Sequence, residues 1–170
     1  MASFLFYILG FIMLAATLLC ITRRNPVHAV IYLVVSFFAL AIMFYLLGAP
    51  LVAAFEVIVY AGAIMVLFIF VVMMLNLGEK AAEREAGLLK PAMWAGPGTL
   101  ALVLLVELTI VVVQGGGAAA GGIEVGPKEV ALSLFGPFVI GVELASFLLM
   151  AGLVGAYYLG SGTRTTGDDG

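Results

Sequence analysis

Five stretches of this chain are each apolar for about twenty residues, the length an α-helix needs to cross about 30 Å of hydrocarbon at 1.5 Å per residue. They run approximately over 3–22, 27–47, 51–76, 93–114 and 134–159. In lipid no water satisfies an open backbone, so each must be a helix. The expected fold is therefore an all-α integral membrane protein with five transmembrane helices. A single domain over 1–160 followed by a flexible tail over 161–170 is expected. Composition agrees, because 65% of the 170 residues are hydrophobic and only 10% charged, where a soluble domain has about 45–50% apolar residues.

The remaining polar residues exclude several functions. Seven basic against ten acidic residues give a net charge of -3, so no basic face exists to hold nucleic acid. One cysteine, Cys20, and one histidine, His28, cannot ligate an iron–sulfur cluster, a bis-histidine haem or a structural zinc. No cofactor or metal is expected on this chain, and Cys20 reads as a small buried hydrophobe.

Charge placement sets an orientation. The first run has no basic residue before it and Arg23-Arg24 after it, so it reads as a retained span and not a cleaved signal. Arg23, Arg24, Lys80, Arg84, Lys90 and Arg164 fall on one side, and only Lys128 falls on the other. By the positive-inside rule the amino terminus is periplasmic and the carboxy terminus cytoplasmic. Trp94, Tyr45, Tyr157 and Tyr158 lie near span ends, where amphipathic rings favour the interface. Asn25-Pro26 provides a side-chain cap and a first-turn proline for the second span. His28, one turn in, reads as an interfacial packing residue, with proton handling as the alternative. The segment 79–90 is expected to be a helix-forming surface connector. The outer loop at 115–129 is expected to be flexible at first, with a short strand or hairpin near Ile123.

Three acids, Glu56, Glu107 and Glu143, lie inside spans that hold no lysine or arginine. An acidic group at the bilayer centre costs on the order of 3 kcal/mol, so these residues are expected to face protein or water. A carboxyl in a dry, cation-free site can exchange a proton near neutral pH, which is what a proton relay needs. Glu56 is about five residues from the outer end of its span, Glu107 about seven, and Glu143 about nine. The bland alternative is a neutral acid hydrogen-bonded to a neighbouring helix.

Glu56 has Tyr60 at i+4 and Ala63 at i+7, which places carboxyl, phenol and a small residue on one face of a regular helix. Tyr60-Ala61-Gly62-Ala63 then thins the helix, either for close packing or for a departure from α geometry. In the fifth span Gly141, Ala145, Gly152 and Gly155 or Ala156 form a small-residue stripe, with Glu143, Ser146 and Met150 roughly opposite. Pro137 is expected to open or kink that helix.

Three segments, NPVHAVIYLVVS from Asn25, EVIVYAGAIMVLFIFVVMMLNLG from Glu56 and LFGPFVIGVELASFLLMAGLVGA from Leu134, resemble a known family. It is that of subunit J of bacterial NADH:quinone oxidoreductase, the counterpart of mitochondrial NADH dehydrogenase subunit 6. The resemblance implies a non-redox subunit in the membrane arm of a proton-pumping translocase in the bacterial inner membrane. It implies packing beside subunits of the A, K, H and N types, with FMN, iron–sulfur clusters and quinone in partner subunits. It also implies a third helix that switches between α and π geometry, mapped here on Tyr60, Ala61, Gly62, Ala63, Ile64 and Met65 with Glu56 at the outer end. Glu143 lies in a matching motif and inherits a place in a proton path. Glu107 lies in a span with no residue-by-residue match. Two other readings stand beside this one: a subunit of a multisubunit sodium/proton antiporter, and a purely structural helix-packing subunit.

Overall fold

The computed structural model describes residues 2–23, 25–75, 91–113 and 124–161. The connector at 79–90, the strand or hairpin expected near Ile123 and the tail beyond Ser161 lie outside the described residues. Within them the chain forms α1 (Ala2–Thr22), α2 (Pro26–Leu46), α3 (Pro50–Phe55), a π-helical segment π1 (Glu56–Ile64) and α4 (Met65–Leu75). Then come α5 (Pro91–Val113), α6 (Pro127–Leu134) and α7 (Val139–Ser161). Five helical stretches are long and apolar enough to cross a membrane: Ser3–Thr22, Pro26–Leu46, Pro50–Met74, Trp94–Val113 and Val139–Ser161. Contacts divide the chain into two compact units, Met1–Gly126 and Pro127–Gly170.

The first unit is organised around α2, which packs against α1, α5 and the α3–π1–α4 span. The reason is periodic. Leu5, Leu9, Ile12 and Ala16 on α1 and Val35, Ala39, Ile42 and Leu46 on α2 are all buried in one cluster, and both sets are spaced four, three and four. That is the seam spacing of paired helices. Ala16 and Ala39 have no exposure at all, and such small residues let two membrane helices approach closely. Polar groups join the same seam: Thr17 Oγ1 and Ser36 Oγ are 3.0 Å apart, and both hydroxyls donate to the Met13 carbonyl, at 2.8 and 3.3 Å.

The ends of α2 follow from its sequence. Asn25 Oδ1 accepts the Val27 N–H at 3.0 Å and the His28 N–H at 3.5 Å, and Pro26 occupies the first helical position. At the other end Gly48 takes φ 81°, a left-handed conformation open to glycine. Its N–H bonds the Tyr45 carbonyl at 3.1 Å and the Ala49 N–H bonds the Phe44 carbonyl at 3.0 Å, the paired bonds of a Schellman termination. Pro50 then starts α3. The Gly48 carbonyl also accepts the Val125 N–H at 2.9 Å, which ties the chain before α6 to this turn.

The second unit differs from the sequence expectation in two respects. Residues 127–134 form a short helix where loop was expected, and the span that follows starts at Val139, not near Leu134. Between them 135–138 form a turn, in which Phe138 N–H reaches the Ser133 carbonyl at 3.1 Å. Pro137 sits in that turn, so it neither opens nor kinks α7. Glycine is required at 136 because a Cβ there would stand 2.6 Å from the Leu132 carbonyl oxygen. No residue of α6 or α7 is buried.

Candidate functional site in the third span

Among the described residues, π geometry is confined to the middle of the third span. The Glu56 N–H still bonds carbonyls of α3, at Val52 and Ala53. At the far end the Met65 N–H bonds the Tyr60 carbonyl, five residues back. The turns between are widened. At Gly62 a Cβ would lie 3.1 Å from the Val57 carbonyl oxygen, again five residues back. A side chain would press on the backbone that the π geometry draws inward. The widened segment covers Glu56–Ile64, beginning four residues before the six-residue stretch from Tyr60 expected from sequence, and Met65 is already α-helical.

One extra residue per turn changes which side chains share a face. Buried positions along the span are Ala53, Glu56, Ala61 and Met65, spaced three, five and four. In a regular helix the partner of Glu56 would be Tyr60; here it is Ala61. Tyr60 is 47% exposed and sets its ring beside Phe37 of α2, centroids 5.6 Å apart at 53°. The expectation that carboxyl and phenol share one face is therefore corrected, because the i+4 rule presumes 3.6 residues per turn.

Glu56 is 7% exposed, and its Oε1 has no hydrogen-bond partner among the described residues. A groove of about 430 Å³ adjoins the start of π1, lined by Tyr45, Pro50, Ala53, Val57 and Leu108 among others.

The other two acids are placed elsewhere. Glu107 is 4% exposed on the stripe Leu104, Glu107, Val111 of α5, the buried side of that helix. Neither of its carboxyl oxygens has a partner among the described residues. Glu143 is exposed on α7 in the second unit, where Ser146 Oγ donates to the Glu143 backbone carbonyl at 2.7 Å and not to its carboxyl. Only Glu56 and Tyr60 thus share one short segment. Among the described residues no three His, Cys, Asp or Glu side chains group as a metal site.

Sequence reasoning missed the buried polar side of α2. His28, Tyr32 and Ser36, at i, i+4 and i+8, are all buried, and that spacing was the available signal. His28 packs against Trp94 with centroids 6.3 Å apart. Tyr32 meets Gly96 of α5, where a Cβ would collide with the tyrosine hydroxyl.

These features define a multi-pass membrane protein of five apolar spans, the third interrupted by π geometry around a buried carboxyl. The chain belongs to the family described as NADH-ubiquinone/plastoquinone oxidoreductase chain 6, whose model matches residues 16–159. It is 54% identical over 159 residues to NADH-quinone oxidoreductase subunit J of Pseudomonas aeruginosa, covering 93% of this chain and 96% of that one. It is 49% identical over 162 residues to the subunit J of Escherichia coli K12, covering 95% and 88%. The subunit J of Rhodobacter capsulatus is 33% identical over 171 residues, covering 95% and 83%.

Proposed function

We propose that this chain is a membrane-arm subunit of an NADH:quinone oxidoreductase that carries no redox centre and gates proton passage through its third span. Its place is the bacterial inner membrane, amino terminus periplasmic, beside partner subunits of the A, K, H and N types. FMN, iron–sulfur clusters and quinone belong to the partner subunits.

The observation that carries this reading is the five-residue step from Glu56 to Ala61. Returning π1 to α geometry removes the extra residue from the turn and rotates one half of the span against the other by about 100°, the angle per residue of an α-helix. The Glu56 face then receives the Tyr60 phenol in place of the Ala61 methyl. A phenol hydroxyl both donates and accepts a hydrogen bond, so the carboxyl gains a proton-passing neighbour in one state and loses it in the other. Two discrete packings of one element are what a redox event elsewhere can bias. The groove beside Ala53 and Val57 offers room for the backbone to shift. Glu143 and Glu107 are proposed as further acids of the proton path, each supplied by a different helix.

The test is proton translocation per electron in the assembled complex. Gly62→Val, whose Cβ would stand 3.1 Å from the Val57 carbonyl oxygen and press on it in π geometry, is expected to lower that ratio while the complex still assembles, as is the pair Glu56→Gln with Tyr60→Phe. Unchanged stoichiometry in both would overturn the gating account, and loss of assembly alone would mark a structural role.

A further inference from the structure

At the end of α1 opposite its amino terminus, Arg23 follows directly on the apolar span Ser3–Thr22. Its guanidinium lies over the Tyr32 ring, 5.3 Å from the centroid, and Nη2 donates to the Tyr32 hydroxyl at 3.4 Å. The two residues have opposite surroundings. Tyr32 is 2% exposed, whereas Arg23 is exposed.

The hydroxyl end of the ring is seated against Gly96 of α5, which leaves no room for a Cβ there. A buried tyrosine between helices therefore anchors an exposed cation by one hydrogen bond and by its ring. Arginine is otherwise a flexible chain, and anchoring it removes part of the entropy cost of using its fork. One N–H is directed at the tyrosine, and no other side-chain partner of the five-donor group lies among the described residues.

The surroundings fit a lipid headgroup. Trp94, half-exposed, stands on the same end of the bundle against His28, and indole rings favour the headgroup level. A cation at the boundary of an apolar span meets phosphate there, and planar guanidinium matches phosphate with two parallel hydrogen bonds. We propose that Arg23, oriented by Tyr32 and Gly96, is a binding site for the phosphate of an anionic phospholipid. The site is formed by α1, α2 and α5 and is independent of π1, so it stands or falls apart from the gating account.

The experiment places a photoreactive benzoylphenylalanine at Thr22 in the assembled complex, reconstituted in nanodiscs of equal parts phosphatidylcholine and phosphatidylglycerol. The expected result is a phosphatidylglycerol-to-phosphatidylcholine ratio of about five in the captured lipid against one in the mixture, the factor that corresponds to the ~1 kcal/mol one basic residue contributes at an anionic surface. Arg23→Gln lowers that ratio toward the bulk value, and Arg23→Lys, which keeps the charge without the guanidinium fork, falls below the wild type. Three results would overturn the proposal. They are adducts confined to polypeptide, of this chain's 79–90 segment or another subunit; captured lipid with the bulk composition; and enrichment abolished by saturating inorganic phosphate, which would identify a free-anion site.

Discussion

Glu107 shows how much a single buried group can contribute to an argument about purpose. Both of its oxygens lack partners among the described residues, a condition that costs about 1–3 kcal/mol for a buried polar group. Replacing such a residue by an apolar one of similar size removes the penalty. Glu107→Leu is therefore expected to leave the thermal stability of the complex unchanged or raise it, measured by melting of the purified assembly. A fall in proton yield in that same variant then reports a role in transport. Gly48 makes the converse case. Its left-handed φ means that Gly48→Ala should destabilise the assembly by about 1 kcal/mol, read as a lower melting temperature with unchanged proton stoichiometry. The sequence made the span acids visible, because each lacked a cation in its own span. Which way they face could not be read, since facing depends on the local turn. Tyr60 illustrates this: a spacing of four is one face only while 3.6 residues make a turn.

The first two spans were legible as apolar runs, but the period that pairs them was not, since nearly every position in them is apolar. The structure picks out a four-three-four spacing in Leu5, Leu9, Ile12 and Ala16 and their counterparts. Ala39→Leu, at a position with no exposure, should overpack that seam and destabilise by about 1–3 kcal/mol, measurable as reduced assembly on native gels. The third span obeys no single period, and a deletion exposes this. Removing Ala61 takes the surplus residue from the widened turn and leaves Ala53, Glu56 and the later methionine spaced as on one α-helical face. Such a deletion should assemble nearly as well as the wild type and pump less. Removing Val34 from α2 instead turns the whole seam from Val35 to Leu46 by about 100° against the buried His28 and Tyr32 that precede it, and the subunit should be lost from the membrane. Comparable loss in both deletions would refute the view that π1 carries one surplus residue.

At the scale of the molecule, the number of spans was legible from length and hydropathy, while the boundary near Pro127 was not. The residues of α6 mix lysine, glutamate and apolar types within eight positions, which on sequence fits a loop as readily as a helix. Where α7 starts was hidden for a related reason: Phe135 and Phe138 extend the apolar run through a turn that hydropathy cannot distinguish from helix. With no buried residue along its length, α7 should be shielded only by assembly. A cysteine at Leu148 is expected to react with a membrane-permeant maleimide at least tenfold faster in the isolated chain than in the complex, a tenfold ratio being about 1.4 kcal/mol of protection. The Gly48 turn bears on how the protein is made. Two spans joined through a self-capped glycine, with no charged residue between them, can leave the ribosome-bound insertion channel together as a preformed hairpin, so whichever way the second is threaded fixes the third.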